Sequence, residues 1–395
     1  MEETIVYLKW HHTFLFLFQA ILAVADTTTD ILTCLEYREK EEYQWFAVSL
    51  GVTVLALIIL CVWSAIASTL RTLTTEEDDA DTEDSNPDVI FRSPVVNVLL
   101  SCFCVGPPLH SFQMFLICAF RFKELWKSDQ GLRVEKGRLY YLYIHTLNLK
   151  MVEGLLEAAP QLIIQLYVMK MNYDENEPIS LIQKISVPIS FLSLTWMITS
   201  MELFREFANS NTKLLHNLFI FISNVGIIAA RTLAVFFFTI AFPWWLSLML
   251  CTHIFLVNVC GYVLWRSERK QDMVTFIFAY SPLYLLIYSS YYLKKLRGSA
   301  PFRGPLQLGV SVAWHFLFTA ENIFMIAASY RDIIEFDEGK WFNTLILSVV
   351  MAGNVGGILL KWISSYCCFE KETRGQYHIQ ERPVTIVVDT MNCRL

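Results

Sequence analysis

The sequence predicts an all-α polytopic membrane protein, with eight transmembrane helices and two re-entrant helical hairpins arranged as two parallel pseudo-repeats. Three observations predict it. Apolar residues come in runs long enough to cross a bilayer, lysine and arginine fall unevenly among the connecting loops, and two of the apolar runs are broken at their middles by proline. Of 395 residues, 55% are hydrophobic and only 17% are charged, where a soluble chain carries about 25% charged residues. Mean hydropathy is +0.43. Runs of about 20 apolar residues cross roughly 30 Å of hydrocarbon as helix. Continuous runs also exclude an outer-membrane barrel, whose strands alternate polar and apolar residues.

Ten such runs cover residues 11–35, 43–70, 95–120, 139–169, 179–204, 214–241, 243–265, 273–293, 305–330 and 341–363. The opening stretch, Met1 to Trp10, is acidic and has no basic region or small-residue cleavage site. The first run is therefore expected to stay in the mature chain as a signal anchor.

If all ten runs crossed the bilayer from a cytoplasmic N-terminus, the loop lysines and arginines would divide thirteen inside to fifteen outside. The positive-inside rule rejects that arrangement. The third run contains Gly106-Pro107-Pro108 and the eighth contains Ser281-Pro282, each near its middle. Proline removes a backbone donor and clashes with the preceding turn. If both runs enter from the cytoplasm and turn back there, the division becomes twenty-three inside to five outside. Each arm is then about 10 residues, or roughly 15 Å of helix. A full helix kinked at proline is the alternative for either run taken alone.

The expected organisation follows. Residues 1–370 form one transmembrane domain, with repeat one at about 10–205 and repeat two at about 213–365. Both termini face the cytoplasm, and the two repeats run span, span, re-entrant, span, span in the same orientation. Loop 71–93 is acidic and turn-rich, the composition of a disordered segment, and 371–395 is a short cytoplasmic tail.

Charges inside the apolar runs carry the functional signal, because a carboxylate at mid-bilayer costs about 2.5–3.5 kcal/mol on insertion scales. Asp26 and Asp30 stand at i, i+4 on one face of the first span. Glu153, Glu157, Gln161 and Gln165 recur every four residues in the fourth run, a line about 18 Å long. Pro160 lies inside that line and is expected to kink it. Arg231 lies within the sixth run and Glu321 within the ninth. Glu202 and Arg205 close the fifth span and are counted with the path, although capping a helix end near water explains them more simply. Together these residues make a polar ladder with more acids than bases.

His11, His12, His145 and His315 have no companions at metal-ligand spacing. The ten cysteines include no CxxC pair and read as small hydrophobes. Cys367 and Cys368, past the last run, are candidates for palmitoylation; two unmodified interfacial thiols are the equally simple reading. No nucleotide loop, metal site, cofactor site or nucleophile–base pair appears, so the chain is not expected to be an enzyme.

On these residues the chain resembles the XK-related family of membrane proteins, which includes caspase-activated phospholipid scramblases. Asp26-Thr-Thr-Thr-Asp30 is similar to the family's Asp-x-x-x-Asp. Glu153-Gly-Leu-Leu-Glu157-Ala-Ala-Pro160-Gln161-Leu162 is similar to its Glu-x-x-x-Glu-x-x-Pro-Gln-Leu. Arg231-Thr-Leu-Ala-Val235 with Phe242-Pro243, and the pair Cys367-Cys368, match in the same order. The chain departs from the pattern at His110, where a basic residue is expected, and at Glu202 and Glu321, where relatives carry aspartate.

The resemblance implies passive lipid scrambling across the plasma membrane, with phosphatidylserine exposure linked to apoptosis. Phospholipids would be the ligand. A caspase, a single-span accessory subunit or a second copy of the chain would be partners, with no nucleic acid and no cofactor. Some family members cut by caspases carry a C-terminal Asp-x-x-Asp site that this tail lacks. Asp81-Thr82-Glu83-Asp84 in the acidic loop resembles an executioner-caspase site, with Asp84 the cleavage residue and Asp389 a weaker candidate. A secondary transporter using the acids as proton relays, and a non-scrambling adaptor, are the alternative readings.

Overall fold

The computed structural model describes residues 6–8, 10–75, 106–127, 132–134, 138–175, 177–207, 214–265, 305–330 and 347–363. The eighth run with Pro282, most of loop 71–93 with Asp84, and the tail with Cys367, Cys368 and Asp389 lie outside the described residues.

The chain is a helical membrane protein. Its helices are α1 (Trp10–Glu39), α2 (Tyr43–Thr75), α3 (Gly106–Phe120), α4 (Phe122–Lys127), α5 (Arg138–Glu153), α6 (Ala159–Asp174), α7 (Leu181–Phe207), α8 (Leu214–Ala241), α9 (Pro243–Trp265) and α10 (Pro305–Ala328). A further helix, α11, covers Leu347–Ile363. Among the described residues, four helices are long and apolar enough to cross a membrane: α1, Tyr43–Trp63 of α2, Leu181–Leu203 of α7 and Asn217–Ala241 of α8.

The described residues are helical apart from one short strand pair. Strand β1 (Val6–Leu8) pairs antiparallel with strand β2 (Leu132–Val134), Tyr7 opposite Arg133. Three residues at the head of α1 thus meet three residues from the loop after α4. Segments this short have no period to read, and only tertiary proximity creates the pair.

α3 lies against α1 and runs antiparallel to it. Gln19 of α1 donates to Ser111 of α3 at 3.0 Å. Phe14 meets Phe122 edge-on with ring centroids 6.0 Å apart, and Trp10 meets Trp126 at 5.0 Å. α3 therefore begins beside the middle of α1 and ends at its head. Gly106 opens α3 and Pro107 and Pro108 occupy its first turn, where a missing N–H has no intrahelical acceptor to lose.

The fourth run is one helix interrupted by a π turn, Gly154–Ala158. The break precedes Pro160 instead of centring on it. Within an α-helix the Pro160 ring would clash with the carbonyl of residue 156. The wider turn, closed by the Ala159 N–H bonding to the Gly154 carbonyl, relieves that clash and leaves Pro160 in the first turn of α6.

The first core joins Leu149, Leu162, Met197, Ile227 and Val257 from α5, α6, α7, α8 and α9. The second joins Ala230, Ala234 and Phe237 of α8 to Met325 of α10 and Val350 of α11. α8 contributes to both and links the two halves. Gly226 of α8 and Gly353 of α11 face each other so closely that a Cβ on Gly353 would overlap the Gly226 carbonyl oxygen. Small residues of this kind let membrane helices approach backbone to backbone.

Candidate functional site

α1 is apolar outside and buries its polar side chains inside, interspersed with Phe16, Leu22 and Ala23. Phe14, Phe18, Ile21, Val24, Leu32 and Leu35 are exposed, while His12, Gln19, Asp26 and Thr33 are buried. Those four stand seven residues apart, two helical turns per step, so they line one face. Asp30 and Glu36 are buried beside them. From His12 to Glu36 the polar face runs about 36 Å at 1.5 Å per residue, longer than the roughly 30 Å of a bilayer's hydrocarbon.

The neighbouring helices answer this face with polar side chains. Ser190 of α7 donates to Asp26 at 2.7 Å. Gln165 of α6 donates to Asp30 at 2.9 Å, and Ser186 of α7 does so at 3.3 Å. Near the far end Ser180 donates to Glu36 at 2.6 Å, and Lys40 pairs with the other Glu36 oxygen at 2.9 Å. Sequence reasoning missed Ser186 and Ser190, whose i, i+4 spacing is the signal that could have found this second face.

The four-residue line of the fourth run is held together by the π turn. In an α-helix each step of four drifts about 40° around the axis. A π turn takes more residues per turn and turns the line back. Glu153, Glu157, Gln161 and Gln165 are all buried. Gln161 donates to the Ser49 carbonyl at 2.8 Å and to Thr53 at 2.9 Å, and accepts from the Ser49 hydroxyl at 2.6 Å, which ties α6 to α2.

Glu153 pairs with Lys150 at 2.8 Å, a residue that sequence reasoning passed over although it stands three positions away on the same face. Glu157 is 4% exposed. Its Oε1 and the Oδ2 of Asp30 have no hydrogen-bond partner among the described residues. The ionisable neighbours of Glu157 are Glu153, Asp30, Asp26 and Lys150. Four acids thus share one buried region with one lysine.

The remaining ladder residues form two other groups. Arg231, 1% exposed, pairs with Glu321 of α10 at 3.0 Å, donates to Asn322 at 2.8 Å and sits 4.6 Å from the centre of the Phe318 ring. His253 of α9 reaches the same Glu321 oxygen at 2.9 Å, and Asn322 passes the chain of bonds to Asn354 of α11 at 3.1 Å. His253, Asn322 and Asn354 carried no sequence signal beyond being polar in apolar runs.

The third group sits where the halves meet. Glu202 of α7 is buried, pairs with Lys361 of α11 and accepts from Asn224 of α8 at 3.0 Å. It is not a solvated cap. Arg205 lies on α7, but its side chain is outside the described residues, as is that of Pro107. Among the described residues no group of three or more His, Cys, Asp or Glu is arranged to hold a metal ion.

Comparison with known proteins gives a family and two partial relatives. The family described as XK-related protein matches residues 14–371. Two proteins of Tetraodon nigroviridis are similar to the chain. XK-related protein 8 is 27% identical over 179 residues, 44% of this chain and 39% of that protein. XK-related protein 9 is 26% identical over 183 residues, 45% of this chain and 44% of that protein. The matched stretches span less than half the length of either relative.

Proposed function

The chain belongs to the XK-related protein family, and from that premise we propose that it is a passive phospholipid scramblase of the plasma membrane. The observation that carries this reading is the buried polar face of α1, which runs about 36 Å from His12 to Glu36 and is faced by Ser186, Ser190 and Gln165. A lipid headgroup crossing hydrocarbon alone loses its hydrogen bonds, at several kcal/mol for each polar group. A line of polar side chains offsets that loss while the acyl chains stay in lipid. Asp26, Asp30, Glu153, Glu157, Gln161 and Lys150 form the headgroup path. Arg231 and Glu321, held by mutual pairing, brace the second half beside it, and Glu202 with Arg205 closes the path at its cytoplasmic end.

The proposed frame has eight spans and two re-entrant hairpins, with both termini in the cytoplasm. The β1–β2 pairing supports it. A strand before α1 and a strand after α4 lie together, which fits two full crossings by α1 and α2 followed by a hairpin that returns. The start of α3 beside the middle of α1 fits the same hairpin, with Gly106, Pro107 and Pro108 at its turn. Cleavage after Asp84 is the proposed switch, in the loop between α2 and α3. Phosphatidylserine would then reach the outer leaflet by equilibration, without nucleotide.

The test is lipid equilibration in liposomes containing the purified full chain, before and after cleavage at Asp84. Labelled lipid is expected to exchange between leaflets in at least one state, faster after cleavage. No exchange in either state would overturn the scramblase reading.

A further inference from the structure

The head of α1 and the α3–α4 corner form a collar that the lipid path does not use. Leu125 is fully buried and anchors α4. Around it Trp10 meets Trp126 at a tilt of 57°, Phe14 meets Phe122 edge-on, and Phe122 meets Trp126 at 5.8 Å. The outer surface of this cluster is uncovered: Phe120 is 86% exposed and Trp126 60%. Arg121, Lys123 and Lys127 are exposed on the same short stretch, against one acid in its sequence, Glu124.

Aromatic rings belong at the level of lipid headgroups, where one side is apolar and the other wet. A soluble protein partner would be expected to cover such rings with apolar side chains. Three cations interleaved with the rings instead suit a surface of fixed negative charge at the same depth. We infer that this collar is a docking surface for anionic phospholipid headgroups of the leaflet in which the chain begins. Trp126 and Phe120 seat in the interface, and Arg121, Lys123 and Lys127 draw in phosphatidylserine-type or phosphatidylglycerol-type headgroups. The inference does not depend on lipid crossing, because it concerns lipids held beside the protein and not lipids moved through it.

The experiment places the full chain in phosphatidylcholine bilayers that contain a minor share of lipid brominated in its acyl chain. That lipid is either phosphatidylglycerol or phosphatidylcholine at the same mole fraction. Bromine quenches nearby tryptophan, and the difference between the wild type and Trp126→Phe isolates Trp126. Brominated phosphatidylglycerol is expected to quench Trp126 more than brominated phosphatidylcholine does. The preference should fall about fivefold for each cation removed, vanish in Arg121→Gln/Lys123→Gln/Lys127→Gln, and shrink with added salt. Lys170→Gln, at the far end of the fourth run, should leave it intact. Quenching of the triple variant by brominated phosphatidylcholine should stay unchanged, which reports that the collar is folded and still in the interface. Equal quenching by both lipids in the wild type, or a preference that survives the triple substitution, overturns the inference.

Discussion

Gln165 donates from Nε2 to Oδ1 of Asp30 at 2.9 Å, binding α6 to α1 across 135 residues of sequence. The bond links the two charged motifs of the first half, the aspartate pair and the four-residue line. Removing the donor leaves a buried carboxylate oxygen without its amide. Gln165→Leu is expected to lower unfolding free energy by about 1.5–3 kcal/mol, read by thermal unfolding in detergent. In an Asp30→Leu background the same substitution should cost clearly less. Equal costs in both backgrounds would mean the two side chains are not coupled.

Arg231 offers a sharper contrast because it is buried among Glu321, Asn322 and Phe318. Arg231→Met removes the cation and strands the carboxylate, with an expected loss of about 3–5 kcal/mol. Replacing both partners, as Arg231→Met/Glu321→Leu, removes the stranded charge and should recover most of that loss. His253 keeps one partner for Glu321 in the single variant, so His253→Phe should deepen the damage of Arg231→Met.

The helices were legible because length and apolarity alone define a membrane span, and the runs 11–35, 43–70 and 214–241 lie within α1, α2 and α8. The pair Asp26 and Asp30 was legible for the same reason: charge in an apolar run stands out. The rest of the polar face was not. Gln19 and Thr33 are too mild to break an apolar run, and their meaning appears only when the helix shows which face is buried. Pro160 announced an irregularity, but its form, a π turn over Gly154–Ala158, depends on how the chain relieves the proline's clash with a carbonyl. Lys150 could have been found as an i, i+3 partner of Glu153. The pairing of His253 with Glu321 could not, since nothing in spacing connects residues on two separate spans.

Close approach of α8 and α11 predicts a position-dependent response to a single methyl group. A Cβ at Gly353 would overlap the Gly226 backbone, while one at Gly51 would meet nothing within 4 Å. Gly353→Ala is expected to push the helices apart and cost about 1–3 kcal/mol. Gly51→Ala, within α2, should instead stabilise by about 0.5–1 kcal/mol, because alanine loses less backbone freedom in a helix. Unfolding temperatures of the two variants, measured side by side, check both signs.

Glu42 lies in the turn between α1 and α2, outside the spans. Partial burial pushes its carboxyl above the usual range; Lys40 opposes this, and Glu177, Glu36 and Glu175 add to it. A carboxyl whose folded pKa is raised binds its proton more tightly in the folded state. Its ionisation therefore costs stability above the raised pKa, and the cost disappears as pH falls through that value. Glu42→Gln is expected to be more stable than the wild type at neutral pH, with the two converging in acid. A difference that stays constant from neutral to acid would show that the charge is not the cause.

Glu157 separates a headgroup path from a structural network. Its Oε1 is buried without a hydrogen-bond partner among the described residues, so its carboxyl group has an oxygen to offer a passing headgroup, whereas Glu321 is engaged by Arg231 and His253. If lipids follow the polar face of α1, Glu157→Leu places an apolar side chain where a polar one offsets headgroup desolvation. Loss of about 1.4 kcal/mol at the barrier slows crossing tenfold, and one hydrogen-bonded contact is worth about that. Leaflet exchange in liposomes is therefore expected to slow about tenfold in Glu157→Leu, with unfolding temperature unchanged or raised because a buried acid has been removed. Glu321→Gln should reverse the pattern, lowering stability more than it lowers exchange. Exchange at the wild-type rate in Glu157→Leu would move the path away from the junction of α1 with the π turn.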